Sequence, residues 1–232
     1  MLIYGKNTVK EAILSRRIVH IIYIDNKFTD KSLLSLIEKH NIKSKSVSKH
    51  KLNELSNQGL HQGIVADVED YQTFPLDILY DGVGKKVLIL DKIEDPHNFG
   101  AILRTAEAVS MDAVIIAKKG QAGISPLVAK IASGALEYVK IIEVTNLFQT
   151  ILELKKHHYW IIGSTLDAKD NLKDIDKDLN LALIVGNEGI GMSHILKMNC
   201  DHLVKIPMTG KANSLNVSVA AALLMYQMKN LI

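Results

Sequence analysis

Apolar and polar residues alternate along this 232-residue chain in short blocks, and the spacing switches repeatedly between a helical repeat and continuous apolar runs. Val9, Ala12 and Ile13 lie on one helical face, and Asn7 or Thr8 can cap them, which predicts a helix reaching about Arg16. HIIYID (His20–Asp25) reads as a strand. Leu33, Leu36 and Ile37 predict a helix over Ser32–His40. A strand over Ser44–Ser48, a short helix over Lys49–Ser56 and a strand in GIVADVEDY (Gly63–Tyr71) complete an α/β module. Gln72–Lys86, with Pro75, Gly82 and Gly84, interrupts the alternation and reads as a linker. From Val87 the apolar runs strengthen: VLILDKI, AVIIAKK, VKIIEV, YWIIGST, LALIVG and HLVKIPM. Helices are expected at about Asn98–Ser110, Ser125–Leu136, Leu147–His157, Ser193–Met198 and Ser214–Lys229. Continuous apolar strands fit a parallel sheet buried on both faces. The predicted architecture is therefore a small α/β module over residues 1–72, a linker over 73–86, and an α/β domain over 87–232. The last has a parallel sheet of five or six strands flanked by helices.

Composition narrows this picture little. Hydrophobic residues make up 47% and charged residues 23%, and a net charge of +3 permits a nucleic-acid partner without requiring one. The single cysteine, Cys200, excludes an internal disulfide and points to a reducing compartment. No apolar run is long enough to span a bilayer, and MLIYGKNTVKEAILSRR lacks a signal-peptide core, so a cytoplasmic protein with no membrane partner is expected. Charge is uneven within the first module. Lys39, Lys43, Lys45, Lys49 and Lys51, with His40 and His50, occupy a stretch without acids. Such a stretch is either a solvated surface or a set of contacts to RNA phosphates.

Three stretches put polar residues at predicted strand ends, where open α/β sheets bind ligands: DPHNFGAILRTAEA (Asp95–Ala108), LIVGNEGIGM (Leu183–Met192) and IPMTGKANSLNVSVAAA (Ile206–Ala222). None is a dinucleotide fingerprint or a P-loop. Gly186, Gly189 and Gly191 suit a turn whose backbone approaches a ligand. Ser214 is placed to cap the last helix. Arg104, on a small apolar helix, fits either a pairing with Glu107 or Glu94 or a place in a site. His97 reads as part of a turn, and no Cys, His or carboxylate spacing supports a metal.

In order and in type, these three stretches resemble the motifs of the SpoU (TrmH-type) RNA ribose 2′-O-methyltransferases of the SPOUT class. The module opening with YGKNTVKEAI and closing with HQGIVA resembles the RNA-binding domain of the bacterial enzymes that methylate a guanosine ribose in large-subunit ribosomal RNA. The resemblance implies a C-terminal trefoil knot, S-adenosylmethionine as methyl donor, and a homodimer in which each site is completed by the other subunit's Arg104. It implies cofactor contacts at Thr165, Gly186, Ile206 and Leu215. It assigns the polar motif positions to Asn98, Arg104, Glu188, Ser214 and Asn216, with Asn98 and Asn216 fixing loops and contacting RNA and Glu188 organising the glycine loop. Two alternatives stand beside this reading: the same chemistry on transfer RNA, and a non-catalytic RNA-binding protein that kept the fold.

Overall fold

The computed structural model describes residues 1–168 and 170–232. In chain order the elements are β1 (Leu2–Tyr4), α1 (Lys6–Leu14), β2 (Val19–Asp25), α2 (Lys31–Lys39), β3 (Ser44–Val47), α3 (Lys49–Leu55) and β4 (Ile64–Val68). There follow β5 (Lys86–Asp91), α4 (Pro96–Ala108), β6 (Ala113–Ala117), α5 (Pro126–Ala132), β7 (Ile141–Val144), α6 (Leu147–Lys156) and β8 (Tyr159–Ser164). The last are β9 (Asn180–Gly186), α7 (His194–Lys197), β10 (His202–Val204) and α8 (Val217–Met228). They form two compact units, Met1–Gln72 with Ile124–Tyr138, and Thr73–Gly123 with Val139–Ile232.

The first unit has a mixed sheet in the order β1-β4-β2-β3. Only β2 and β3 are parallel; β4 runs antiparallel to both β1 and β2. The strand β1 was not predicted, because three residues are too short to show a period. Helix α1 begins earlier than expected. Gly5, at φ 96°, precedes it and offers no side-chain cap, so neither Asn7 nor Thr8 has that role. The segment Ile124–Tyr138 packs on this unit through side chains of α1. Thr8 Oγ1 donates to the Ala129 carbonyl at 3.5 Å, and Tyr138 hydroxyl donates to Glu11 at 2.8 Å. Arg17 donates to Glu137 at 2.7 Å, with side chains only 9% and 5% exposed. Two buried charges so placed depend on each other, since removing one strands the other. The helix expected over Ser125–Leu136 breaks at Ser133 and Gly134, both in the left-handed region, and resumes as a 3-10 turn.

The second unit is built on a parallel six-stranded sheet in the order β10-β8-β9-β5-β6-β7. Every residue of β5 is buried, as expected for a strand covered on both faces. Ile89, Ile115, Ile161 and Ile184 lie in one core cluster with Leu79, which belongs to the 3-10 turn Leu76–Leu79. Part of the segment read as a linker is thus core of this unit. Its last strand, β10, ends at Val204 rather than Met208, and Pro207 beyond it has no N–H to give to a ladder. Helix α8 packs against α4 and β9 and is apolar almost all round, with Val219 48% exposed. No helix among the described residues is long and apolar enough to cross a membrane.

Candidate active site

The parallel pairing brings Asp91, the last residue of β5, beside Gly186, the last of β9, so the loops that follow start side by side. Asp91 is buried, and its Oδ2 accepts from the Ser193 backbone N–H at 2.6 Å. This bond ties the end of the glycine loop to the end of β5. The loop itself closes on Asn187. Its N–H and carbonyl exchange bonds with Gly191, its Oδ1 accepts from Gly189 N–H at 2.8 Å, and its Nδ2 donates to the Lys92 carbonyl at 2.9 Å. Gly186 is required sterically. A Cβ there would stand 2.3 Å from the Met192 nitrogen and 2.4 Å from the Gly191 carbonyl carbon.

Helix α4 starts two residues earlier than the sequence reading placed it. Asp95 is its N-cap, accepting from His97 N–H at 2.9 Å, and Pro96 occupies the first turn, where a missing N–H costs nothing. His97 therefore lies in the helix, not in a turn. This start places Asn98 in the first turn, 8% exposed. Its Nδ2 donates to the Glu188 carboxylate, and its Oδ1 accepts from Asn216 Nδ2 at 3.0 Å. Asn216 Nδ2 also lies 3.5 Å from the same Glu188 oxygen. Three residues far apart in sequence thus join all three loops in one hydrogen-bonded cluster.

Helix α8 starts later than expected, at Val217, and its cap is Asn216 rather than Ser214. Asn216 Oδ1 accepts from Ser218 N–H at 2.9 Å. Either residue type caps well; the one used directly precedes Val217, the first position buried against the core. Ser214 and Leu215 are left in the loop, on the wall of a cavity of about 320 Å³. Thr165, Gly186, Ile206, Glu188, Ser214 and Leu215 all line this cavity, which opens at the carboxyl ends of β8 and β9. Thr165 hydroxyl donates to Asp167, which also accepts from Lys197 Nζ at 2.8 Å. The Lys197 hydrogen bond, aided by that of Thr165, holds the Asp167 carboxyl at about 2, below the ordinary carboxylate range. Asn98 and Glu188 also line a second hollow of about 190 Å³, with Asp95 and Val217.

Arg104 stands apart from this cluster. It is exposed, two turns into α4, lines neither cavity, and makes no hydrogen bond or ion pair with the described residues, so neither Glu107 nor Glu94 pairs with it. Lys39, Lys43, Lys45, Lys49 and Lys51 are exposed in or beside α2, β3 and α3, with β3 at the sheet edge, and Lys51 pairs with Glu54 at 2.9 Å. Asp91, Asn187 and Asp167 were not singled out in the sequence. Nothing in their spacing announces the bonds of Asp91 and Asn187 to distant backbone or of Asp167 to Lys197. No group of three or more metal-ligating side chains occurs among the described residues.

The family model of the SpoU rRNA methylases matches residues 85–226. The chain belongs to that family. A second model, for the substrate-binding domain of RNA 2′-O ribose methyltransferases, matches residues 2–74. This SpoU methylase is 39% identical to the Bacillus subtilis protein YacO, assigned to the TrmH family of tRNA/rRNA methyltransferases, over 97% of this chain and 93% of the relative. It is 40% identical to a TrmH family relative from Staphylococcus haemolyticus, over 98% and 94% of the two chains. The crystal structure of the SpoU methyltransferase AviRb from Streptomyces viridochromogenes, in complex with the cofactor AdoMet, superposes with a TM-score of 0.85 at 22% identity. That match covers 100% of this chain and 90% of the other. The likeness extends the fold agreement over both units. As a SpoU methylase, the protein is an RNA methyltransferase.

Proposed function

We propose that this SpoU methylase transfers a methyl group from S-adenosylmethionine to a ribose 2′-hydroxyl of RNA, and that its target is a guanosine of large-subunit ribosomal RNA. The observation that carries the reading is the approach of Thr165, Gly186, Ile206 and Leu215 around one cavity, with the Asn98–Glu188–Asn216 cluster at its side. The cavity suits the donor. Its Gly186–Gly191 wall has no room for side chains at Gly186 and offers backbone polar groups, while Ile206, Met208 and Leu215 give apolar surface.

S-adenosylmethionine supplies an electrophilic sulfonium methyl. The protein then has to hold the ribose oxygen in line with it, and such positioning contributes about 7–11 kcal/mol. Asn98 and Asn216 are suited to this, because Glu188 anchors both amides. Glu188 in this reading organises the loops and does not exchange the proton. Arg104 keeps its proton, as guanidinium groups do, and orients a substrate phosphate that accepts the proton of the hydroxyl. Because Arg104 lies outside the cavity of its own chain, the reading assigns that role to the partner subunit's Arg104. A homodimer is further supported by Val219 of α8, an apolar side chain 48% exposed. The return of α8 onto α4 and β9 supports a trefoil-knotted C-terminus. Lys39, Lys43, Lys45, Lys49 and Lys51 are assigned to RNA phosphates and the protein to the cytoplasm.

Relatives described as tRNA/rRNA methyltransferases favour a second reading, the same transfer to transfer RNA. Methyl incorporation from labelled S-adenosylmethionine into large-subunit ribosomal RNA and into bulk transfer RNA separates the two. The proposal expects label in the ribosomal RNA alone; label confined to transfer RNA overturns the target, and label in neither overturns the activity.

A further inference from the structure

A separate hollow of about 270 Å³ lies at the carboxyl ends of β5, β6 and β7. The Asp91–Ser193 bond lies between it and the Gly186–Gly191 loop, so it opens on the same edge of the sheet as the cavity assigned to the cofactor. Lys92, Lys119, Thr145, Asn146, Phe148 and Ser193 line it. Both lysines are exposed, and neither ammonium makes an ion pair or hydrogen bond with the described residues. Among the described residues Lys6, Lys51, Lys155, Lys156 and Lys197 are already engaged by a carboxylate, whereas Lys92 and Lys119 are not. Lys92 is also held in the left-handed region, at φ 60°, with its carbonyl fastened by Asn187 Nδ2. A non-glycine residue kept there is strained unless its surroundings fix it. Here the fastening joins Lys92 to the same loop that walls the cofactor cavity.

The charge in this hollow is ordered by depth. Asp91, at its base, is 4% exposed and has one oxygen bonded to Ser193 N–H. Lys92 and Lys119 are exposed, as are Thr145 and Asn146 of the same lining, and Asn146 Oδ1 is already taken as the cap of α6, accepting from Gln149 N–H at 3.1 Å. A compact anion is attracted by the exposed lysines and repelled from the base.

We propose that this hollow is a subsite for a phosphodiester of the RNA strand next to the modified nucleotide, held by Lys92 and Lys119. The inference rests on the RNA-methylating reading above and adds to it a place for the strand. With the strand's phosphate there, the chain leads across the Asn187–Ser193 loop toward the Asn98–Glu188–Asn216 cluster, and the register of the target ribose is set from one side. Phe148, half-buried against the core, gives the hollow an apolar wall.

The test compares a Lys92→Ala/Lys119→Ala variant with Lys118→Ala, using a transcript of large-subunit ribosomal RNA as probe. Lys118 is an exposed neighbour of the same charge that does not line the hollow. Each lost phosphate contact lowers affinity roughly fivefold at 0.1 M salt and flattens the salt dependence by about 0.7. The double variant is expected to bind the transcript about 25-fold more weakly, with a slope reduced by about 1.4, and to bind S-adenosylmethionine as the parent does. Lys118→Ala is expected to bind RNA within about twofold of the parent. Equal losses in the two variants, or parental RNA affinity in the double variant, overturn the subsite. If the parent protein binds the transcript but never methylates it, the activity reading fails, and the comparison of RNA affinities still decides the subsite.

Discussion

Gly186→Ala probes the cofactor cavity at its tightest point. The added methyl would lie 2.3 Å from the Met192 nitrogen, 2.4 Å from the Gly191 carbonyl carbon and 2.5 Å from the Met192 Cα. All three are backbone atoms, so no rotamer change relieves the contact. Restoring ordinary contact means moving the Met192 nitrogen from 2.3 Å to at least 3.4 Å, a displacement of about 1.1 Å. That displacement pulls on Asn187–Gly191 and on the Asp91–Ser193 bond, or it unzips the Asp91–Gly186 end of the β5–β9 ladder. Overpacking of this kind costs about 1–3 kcal/mol. For a chain of this length that lowers the melting temperature by about 2–12 °C. A shift of about 1 Å in a wall that positions the reactants costs about a hundredfold in rate. Calorimetric titration with S-adenosylmethionine is expected to show affinity reduced at least tenfold, and methyl transfer should fall further. Gly210→Ala is the control, since nothing lies within 4 Å of a Cβ there. A Gly186→Ala protein that melts within 1 °C of the parent (against the roughly 2 °C minimum above) and binds the cofactor equally well would refute the reasoning.

Other outcomes follow from single contacts. Arg104→Ala should leave the melting temperature and cofactor affinity unchanged, because the side chain is exposed and unpaired in its own chain, while methyl transfer is lost; normal turnover would remove Arg104 from the mechanism. Glu137→Ala strands the Arg17 guanidinium, and denaturant unfolding should show a loss of about 3–5 kcal/mol, recovered in part by Arg17→Met in the same chain. A loss well below about 1 kcal/mol would mean the pair behaves as a surface bridge. Burial, with a smaller effect of Asp201, pushes the Cys200 thiol from 9.0 up to about 12. The native state therefore keeps that proton where the unfolded chain releases it, so the thiol's contribution to stability is present below pH 9 and is lost as pH rises from 9 toward 12. Cys200→Ala should flatten that decline, and the native thiol should resist disulfide reagents at pH 8 until the protein is unfolded; rapid labelling of the native protein would contradict this.

The parallel sheet could be read from the chain because its strands are buried on both faces and appear as uninterrupted apolar runs such as VLIL and LALIV. The three loops stood out because glycine, asparagine and proline gather where those runs stop. What escaped was set by local competition or by partners distant in sequence. Asp95 outranked Asn98 as the start of α4 because it is followed by Pro96, which fits the first helical position, and Asn98 is itself buried in the first turn. Asn216 outranked Ser214 as the start of α8 because it directly precedes buried Val217. Strand β1 has three residues and depends on β4, more than sixty residues later, for its ladder. The small residues of Ile124–Tyr138 carry no mark that they pack beside α1; Arg17 and Glu137 reveal it only once they are paired in space. The bonds of Asp91 and Asn187 to loop backbone are equally silent in one dimension.

The central claim is transfer of a methyl group to a ribose oxygen of ribosomal RNA. Large-subunit ribosomal RNA incubated with the protein and S-adenosylmethionine, digested to nucleosides and analysed by mass spectrometry, tests it most directly. The account expects a new 2′-O-methylguanosine that is absent when S-adenosylmethionine is withheld. A nucleoside methylated on its base, or no new methylated nucleoside in any RNA tested, would contradict it.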